Sequence, residues 1–102
     1  MIHVIATIDL KPGKRDEFLE IFKANVPNVL ADEGCLFYEP TIDIEADVGA
    51  QPPTRDNVAV IIEQWASLAC LHAHLRKPHM AAYRAQVQDL VRHVEMRVMR
   101  SA

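Results

Sequence analysis

Glycine, cysteine and nucleotide-binding motifs are scarce or absent in this chain of 102 residues, which has three glycines and two cysteines. Neither G-x-G-x-x-G nor G-x-x-x-x-G-K-[ST] occurs, and there is no G-x-S-x-G elbow. With so few glycines the chain cannot form a phosphate-binding loop of the usual kind. The sequence therefore does not indicate a nucleotide-binding or flavin-binding protein. Two cysteines are too few to staple a fold, and we expect Cys35 and Cys70 to be reduced, buried and inert.

Excess positive charge and long apolar runs are also missing. The chain has 11 Lys+Arg against 14 Asp+Glu, for a net charge of -3, and the basic residues form no stripe. We therefore expect no nucleic-acid partner. No apolar stretch approaches the roughly 20 residues that cross a bilayer. Residues 1–5 lack the basic region that opens a signal peptide, so we expect a cytoplasmic location.

Apolar residues alternate at the N-terminus and then change period. Every second residue from Ile2 to Leu10 is apolar, which predicts a strand. From about Lys14 apolar residues recur at three and four positions, which predicts an amphipathic helix. Pro27 falls inside this pattern and should kink or split the helix, and Gly34 should end it.

The remaining chain predicts two more strands, a broken helix and a last strand. We expect strands from Cys35 to about Glu45 and over Val58–Trp65, joined by a surface loop over residues 46–57. Ser67 is a good N-cap for a helix that Pro78 should interrupt, with helical spacing continuing to Val91. Alternation of Val94, Met96 and Val98 predicts the last strand.

This order predicts one α+β domain over residues 1–102 with a ferredoxin-like βαββαβ fold. Its sheet should have four strands, largely antiparallel, with helices on one face. The first and third strands carry Ile or Val on both faces, yet the helices can cover only one. We therefore expect a homodimer in which two sheets pair. Membrane docking would also cover the face, but the acidic balance argues against it.

Polar residues that could perform chemistry cluster after the third strand. Glu63 and Trp65 are two apart and should share a face at the mouth of a pocket, unless Glu63 is only solvated. His74 and His79 flank Pro78 and could transfer protons near neutral pH, or act only as caps. His72 lies roughly 200° from His74 on a helix, so we expect no metal site there.

Asn25 is the polar residue of interest in the first helix. It lies beside Pro27 in the sequence. If the proline turns the amide inward, Asn25 could hydrogen-bond a substrate carbonyl; otherwise it is an exposed residue near a helix break.

These residues occur in a series of motifs whose order and spacing resemble the antibiotic biosynthesis monooxygenase family over nearly the whole chain. E-x-W followed by H-x-x-x-P-H is the most specific part. The motifs are Lys11-Pro12-Gly13-Lys14, Phe18-Leu19, Asn25-Val26, Asp32-Glu33-Gly34-Cys35, Glu63-Gln64-Trp65 and His74-Leu75-Arg76-Lys77-Pro78-His79.

The resemblance implies a ferredoxin-like dimer that oxygenates a small quinol or polyketide-like phenol with molecular oxygen, without metal, flavin or nicotinamide. A deprotonated, electron-rich substrate can itself pass an electron to oxygen, so the protein needs a base, an apolar pocket and hydrogen-bond donors. By resemblance, His74 or Glu63 is the base. The other implied site residues are Trp65 and Tyr38 as pocket walls and Asn25 and His79 as hydrogen-bonding groups.

Other functions remain open from the sequence. The pattern of Asn25, Glu33-Gly34 and His74 to His79 is also similar to bacterial enzymes that isomerise a small signalling metabolite, a reaction that proton transfer by a histidine and a carboxylate would serve equally well. A ligand-binding dimer without catalysis is a third possibility. Related haem-degrading enzymes carry an asparagine on the first strand. This chain has Thr7 and no asparagine there, which argues against haem degradation.

Overall fold

The computed structural model describes all 102 residues, Met1–Ala102. Its elements are β1 (Ile2–Leu10), α1 (Arg15–Leu30), β2 (Cys35–Thr41), β3 (Val58–Trp65), α2 (Leu68–Leu75), α3 (Pro78–Val87) and β4 (Val91–Arg100). The four strands form one antiparallel sheet in the order β2-β3-β1-β4. The predicted α+β, ferredoxin-like fold is confirmed. No helix has both the length and the apolar character that a membrane span requires.

The core lies between the helices and one face of the sheet. Alternate residues of β1 and β3 are buried on this face, as the period of two requires. The helices contribute Phe18, Phe22 and Val29 from α1, Leu71 from α2, and Met80 and Val87 from α3. The ring of Phe22 stacks on Tyr38 of β2 at a centroid distance of 5.3 Å, which joins α1 to the sheet edge. Glu63 and Trp65 share this helix-covered face.

No helix covers the opposite face of the sheet. Ile5 and Thr7 of β1 and Val60 and Ile62 of β3 are only half-buried there. Phe37 of β2 is exposed. Within one chain this partly apolar face has no covering layer.

Two predicted breaks in the helices have different outcomes. The second helix is interrupted as predicted: Ser67 Oγ accepts a hydrogen bond from Cys70 N at 3.2 Å at its start, and Pro78 opens α3. The first helix is not split, since α1 runs through Pro27 to Leu30. Pro27 lies in the last turns on the exposed side, where the loss of one amide donor does not end the helix.

Two predicted strand boundaries are wrong, because strands end where pairing ends. β2 stops at Thr41, opposite Val60, and not near Glu45. Beyond it, Asp43 Oδ2 accepts from the backbone N of Arg55 at 3.0 Å within the loop. Val91 is not helical but opens β4 opposite Leu10, which makes β4 longer than its apolar alternation indicates.

The cysteines are free, as predicted, but each is half-buried and not fully buried. Burial raises the pKa of the Cys35 thiol, and the nearby Glu63 carboxylate raises it further. The Cys35 thiol therefore stays protonated near neutral pH and is a weak nucleophile.

Candidate active site

A cavity of about 310 Å³ lies between the helix-covered face of the sheet and α3. Twelve of its sixteen lining residues are hydrophobic, so it suits a mainly apolar molecule held by a few polar groups. The lining residues are Ala6, Ile8, Phe22, Tyr38, Ile61, Glu63, His74, Leu75, Met80, Tyr83, Arg84, Val87, Gln88, Val91, Val94 and Met96.

Glu63 of β3 is the buried carboxyl group of the cavity. Its Oε1 accepts a hydrogen bond from Trp65 Nε1 at 2.9 Å, and the residue is 5% exposed. Burial raises the pKa of Glu63 to about 7, against the opposing effect of the Trp65 hydrogen bond. Near neutral pH this carboxyl group can therefore donate or accept a proton.

His74 of α2 faces the cavity and is held from behind by Asp32. His74 Nδ1 lies 3.0 Å from Asp32 Oδ2, and the side chain is 1% exposed. A carboxylate partner at Nδ1 places the ring proton there, so Nε2 is the unprotonated nitrogen. Burial lowers the pKa of His74 below its ordinary value, and it outweighs the opposing effect of Asp32. His74 is therefore a neutral base with a defined tautomer.

One polar atom of each residue has no partner within the chain and reaches accessible space. No buried side-chain nitrogen or oxygen lacks a hydrogen-bond partner. His74 Nε2 and Glu63 Oε2 make no hydrogen bond within the chain, so neither atom is sealed off from solvent-accessible space. Because both residues line the same cavity, these two atoms are available to a bound molecule.

Asp32 also accepts a hydrogen bond from a second histidine. His79 Nε2 lies 3.1 Å from both carboxylate oxygens. Asn25 Nδ2 lies 3.3 Å from His79 Nδ1, and Asn28 Nδ2 donates to Asn25 Oδ1 at 3.0 Å. Since Asn25 presents its amide NH₂ group to Nδ1, His79 carries its proton on Nε2 and donates it to Asp32. This series of hydrogen bonds, from Asn28 through Asn25 and His79, thus holds the Asp32 carboxylate in place.

Asp32 lies in the turn between α1 and β2, and its side chain is 8% exposed. Burial is the largest influence and raises its pKa, but the hydrogen bonds from His74 and His79 together outweigh it, so the pKa of Asp32 lies below its ordinary value. Gly34 closes this turn at φ +77°, and a Cβ there would overlap Cys70 Sγ on α2. The glycine therefore lets the turn pack directly on the helix that carries His74.

Two tyrosines complete the polar lining. Tyr38 packs edge-on to His74 at a ring distance of 5.7 Å, and Tyr83 packs edge-on to Phe22 at 5.5 Å. Burial raises the pKa of both phenols, so they stay protonated near neutral pH. Neither hydroxyl group has a hydrogen-bond partner within the chain, and both residues line the cavity.

The residues predicted from the sequence divide into two layers. Tyr38, Glu63 and His74 line the cavity. Trp65 is fully buried behind them, with its ring 4.5 Å from that of His74. Asn25 and His79 do not line this cavity: they border a separate groove beside α1 and α3, and reach the site through Asp32.

Sequence reasoning missed Asp32 and Tyr83. In the sequence Asp32 is only one member of the Asp32-Glu33-Gly34-Cys35 motif, and its acidic neighbour Glu33 gives the same local signal. No group of three or more His, Cys, Asp or Glu side chains is arranged to hold a metal ion.

Comparison with known proteins agrees with this fold. A profile of the antibiotic biosynthesis monooxygenase family matches residues 1–86. The chain is 43% identical over 101 residues to the probable quinol monooxygenase YgiN of Escherichia coli, which covers 97% of this chain and 96% of YgiN. The crystal structure of PA3566 from Pseudomonas aeruginosa matches with a TM-score of 0.81 at 25% identity, covering 99% of this chain and 94% of that one. Rv0793 from Mycobacterium tuberculosis matches with a TM-score of 0.80 at 27% identity, with the same coverage.

The fold and these matches define an oxidoreductase of the monooxygenase class. The chain belongs to the antibiotic biosynthesis monooxygenase family. The family resemblance inferred from the motifs is confirmed.

Proposed function

We propose that this monooxygenase oxidises a small quinol or polyketide-like phenol with molecular oxygen, without a cofactor, and that His74 is its base. The observation that carries the proposal is the Asp32–His74 hydrogen bond, which leaves His74 Nε2 free in a mainly apolar cavity beside Glu63. The similarity to a probable quinol monooxygenase supports the substrate class.

The reaction balances without an external reductant. A quinol and one O₂ give a hydroxyquinone and one water: one oxygen atom enters a ring C–H position, and the other leaves as water. The substrate supplies all four electrons, two from its oxidation to the quinone level and two from the hydroxylation. Removing a hydroxyl proton makes the ring a better electron donor, so the protein's part is to take that proton and hold the anion.

His74 and Asp32 would form the base. His74 Nε2 takes the substrate proton, and the resulting imidazolium faces the Asp32 carboxylate at 3.0 Å. Asp32 is a positioning residue, because it touches His74 and not the cavity. The lowered pKa of His74 keeps the imidazole neutral before the substrate binds.

Glu63 would act as the proton donor. With a pKa of about 7 its carboxyl group is partly protonated near neutral pH. Its Oε2 can donate to a second substrate oxygen or to the peroxide formed from O₂, while Trp65 holds Oε1. A base and an acid in one cavity predict a bell-shaped pH profile with a narrow top.

A non-oxidative isomerase is the second candidate. His74 and Glu63 line the same cavity and could remove a proton from one atom of a substrate and return it to another. Such a reaction would run at the same rate with and without oxygen. A ligand-binding dimer would instead show ligand-dependent melting shifts with no turnover.

We also propose that the chain works as a homodimer. The uncovered face of the sheet presents Ile5, Val60, Ile62 and Phe37, and a second copy of the same face would bury them. Sedimentation at micromolar concentration should give about twice the chain mass of 11.5 kDa. A stable species at the chain mass would refute the pairing.

Oxygen consumption tests the function. The metal-stripped protein is assayed against a panel of quinols and anthrone-like phenols, with autoxidation subtracted. We expect uptake that His74→Ala abolishes and that His72→Ala, a change at an exposed histidine on the same helix, leaves unchanged. Uptake that survives His74→Ala would refute its role, and turnover without oxygen would favour the isomerase.

A further inference from the structure

The floor of the cavity changes character across the sheet. Tyr38 of β2 is the partner of Glu63 of β3, so two polar side chains stand together over these strands. The next two rows, across β3, β1 and β4, contain Ile61, Ala6, Met96, Ala59, Ile8 and Val94. The cavity therefore has a polar end over β2 and β3, and a wholly apolar floor that continues to β4.

The apolar floor extends past the cover of the helices. Val94 is 47% exposed and Met96 is 39% exposed, although both line the cavity. From Glu63 the floor crosses two strand spacings to β4, about 10 Å. Met96 and Val94 lie two and four residues further along β4 than the position opposite Glu63, which adds roughly 7 and 13 Å along the strand. A single hydroxylated ring held at Glu63 and His74 would leave the β4 end of this floor open to water.

We propose that the substrate carries a linear apolar substituent, which lies over β1 and β4 on Ala6, Ile8, Met96 and Val94 while its hydroxylated ring occupies the polar end. This rests on the proposed function for the ring, and it adds the class of substituent. The substrate is then an amphiphile: a quinol or phenol with an alkyl or isoprenoid chain.

Continuity with the cavity identifies the substituent as the occupant. Met96 and Val94 belong to the same cavity as Glu63 and His74, with no polar side chain on the floor between them. Arg84 and Gln88, the two exposed polar residues of the lining, lie on the helix side. A chain that leaves the ring along the floor therefore meets only apolar groups until it passes Val94.

The size of the effect follows from burial of methylene groups. Each fully buried CH₂ group strengthens binding by at most about fourfold. Binding should therefore tighten by about two- to fourfold per methylene as the chain lengthens. It should stop tightening once the chain extends beyond Val94, because further methylenes stay in water.

A binding series tests the proposal without turnover. The probes are hydroquinones with methyl, butyl and octyl substituents, titrated without oxygen below their aggregation concentrations. Quenching of Trp65, the one tryptophan, reports binding because its ring lies 4.5 Å from that of His74. We expect Kd to fall steeply with chain length, and Val94→Ser to flatten this dependence.

Val98→Ser is the matched control. Val98 lies on the same strand and face, is 47% exposed like Val94, and does not line the cavity. The Val98→Ser variant should keep the dependence of Kd on chain length.

Two binding results would overturn the proposal: a Val98→Ser variant that flattens this dependence as much as Val94→Ser does, or a Kd that does not depend on chain length. A Val94→Ser change that alters only self-association would overturn it too, by assigning the β4 face to a second copy. Steep chain-length binding with no oxygen uptake by any compound would support the substituent site and refute the oxygenase.

Discussion

The two ends of the cavity are built differently. At the β2–β3 end, Glu63 and His74 are each held by a residue that does not itself line the cavity: Trp65 donates to Glu63, and Asp32 accepts from His74. At the β4 end, Val94 and Met96 are partly exposed and make no polar contact. One end fixes the orientation of polar atoms, and the other offers only apolar area.

This difference separates chemistry from affinity. Proton transfer needs atoms held within hydrogen-bond reach, so changes behind the polar end should alter kcat and the pH profile. Apolar burial depends mainly on area, so changes at the β4 end should alter Kd for substituted ligands.

Asp32→Asn should have the largest effect. An amide at this position no longer requires the proton on His74 Nδ1 and no longer stabilises the imidazolium. We expect kcat for oxygen uptake to fall by about 100-fold or more, within the range that a general base contributes. Glu33→Gln, the exposed neighbour in the same turn, is the control and should remain near wild type. If kcat of Asp32→Asn stayed within a factor of about two of the wild-type value, Asp32 would not be the residue that positions His74.

Glu63→Gln should change the dependence of stability on pH. Burial raises the folded-state pKa of Glu63 from 4.5 to about 7, so the folded protein is penalised for the charged form. Wild type should lose stability as pH rises through this window, and the variant should not. Each pKa unit corresponds to about 1.4 kcal/mol, which gives the variant an advantage of roughly 3 kcal/mol near pH 8 that vanishes below about pH 4.

Denaturant unfolding at both pH values measures this difference. Glu39→Gln, on the uncovered face of the sheet, is the control and should show no such dependence. An equal stability change for Glu63→Gln at the two pH values would mean that Glu63 titrates normally in the folded protein.

Trp65→Phe should produce a smaller shift in the pH profile. The change removes the N–H donor to Glu63 Oε1, a hydrogen bond that lowers the pKa of Glu63. The alkaline limb of kcat/KM should therefore move up by on the order of one pH unit. In a Glu63→Gln background the same substitution should move nothing, and a shift there would show that Trp65 acts on another group.

Asn25→Ala should have the smallest effect. Asn25 acts on His79, and His79 on Asp32, which keeps its His74 partner when Asn25 is lost. We expect kcat to fall by roughly two- to fivefold, since one partly buried hydrogen bond contributes about 1 kcal/mol. A loss as large as that of Asp32→Asn would show that Asn25 contacts the substrate directly, as the family resemblance implies.

The fold could be predicted from local patterns, but the ends of its elements could not. Alternation in β1 and β3 and the Pro78 break are properties of neighbouring residues. The end of β2 at Thr41 and the start of β4 at Val91 depend on which partner residues lie opposite, in strands distant along the chain. That information is in the register and not in the local sequence.

The site shows the same division. Glu63 and His74 stand out because their residue types are unusual on buried faces. Asp32 does not stand out beside Glu33, because only the packing of α2 against the turn at Gly34 decides which carboxylate meets His74. Trp65 was predicted as a pocket wall from its shared face with Glu63, but the face alone could not show that it lies behind the cavity.

The most direct test of the account is the protonation state of His74, measured by nitrogen NMR of labelled protein with His74→Ala to assign the signal. We expect a neutral ring at pH 7 with its proton on Nδ1, a pKa below the ordinary 6.5, and an Nε2 signal that moves when a hydroquinone is added without oxygen. A proton on Nε2, a charged ring at that pH, or an Nε2 signal indifferent to the ligand would contradict His74 as the base of this cavity.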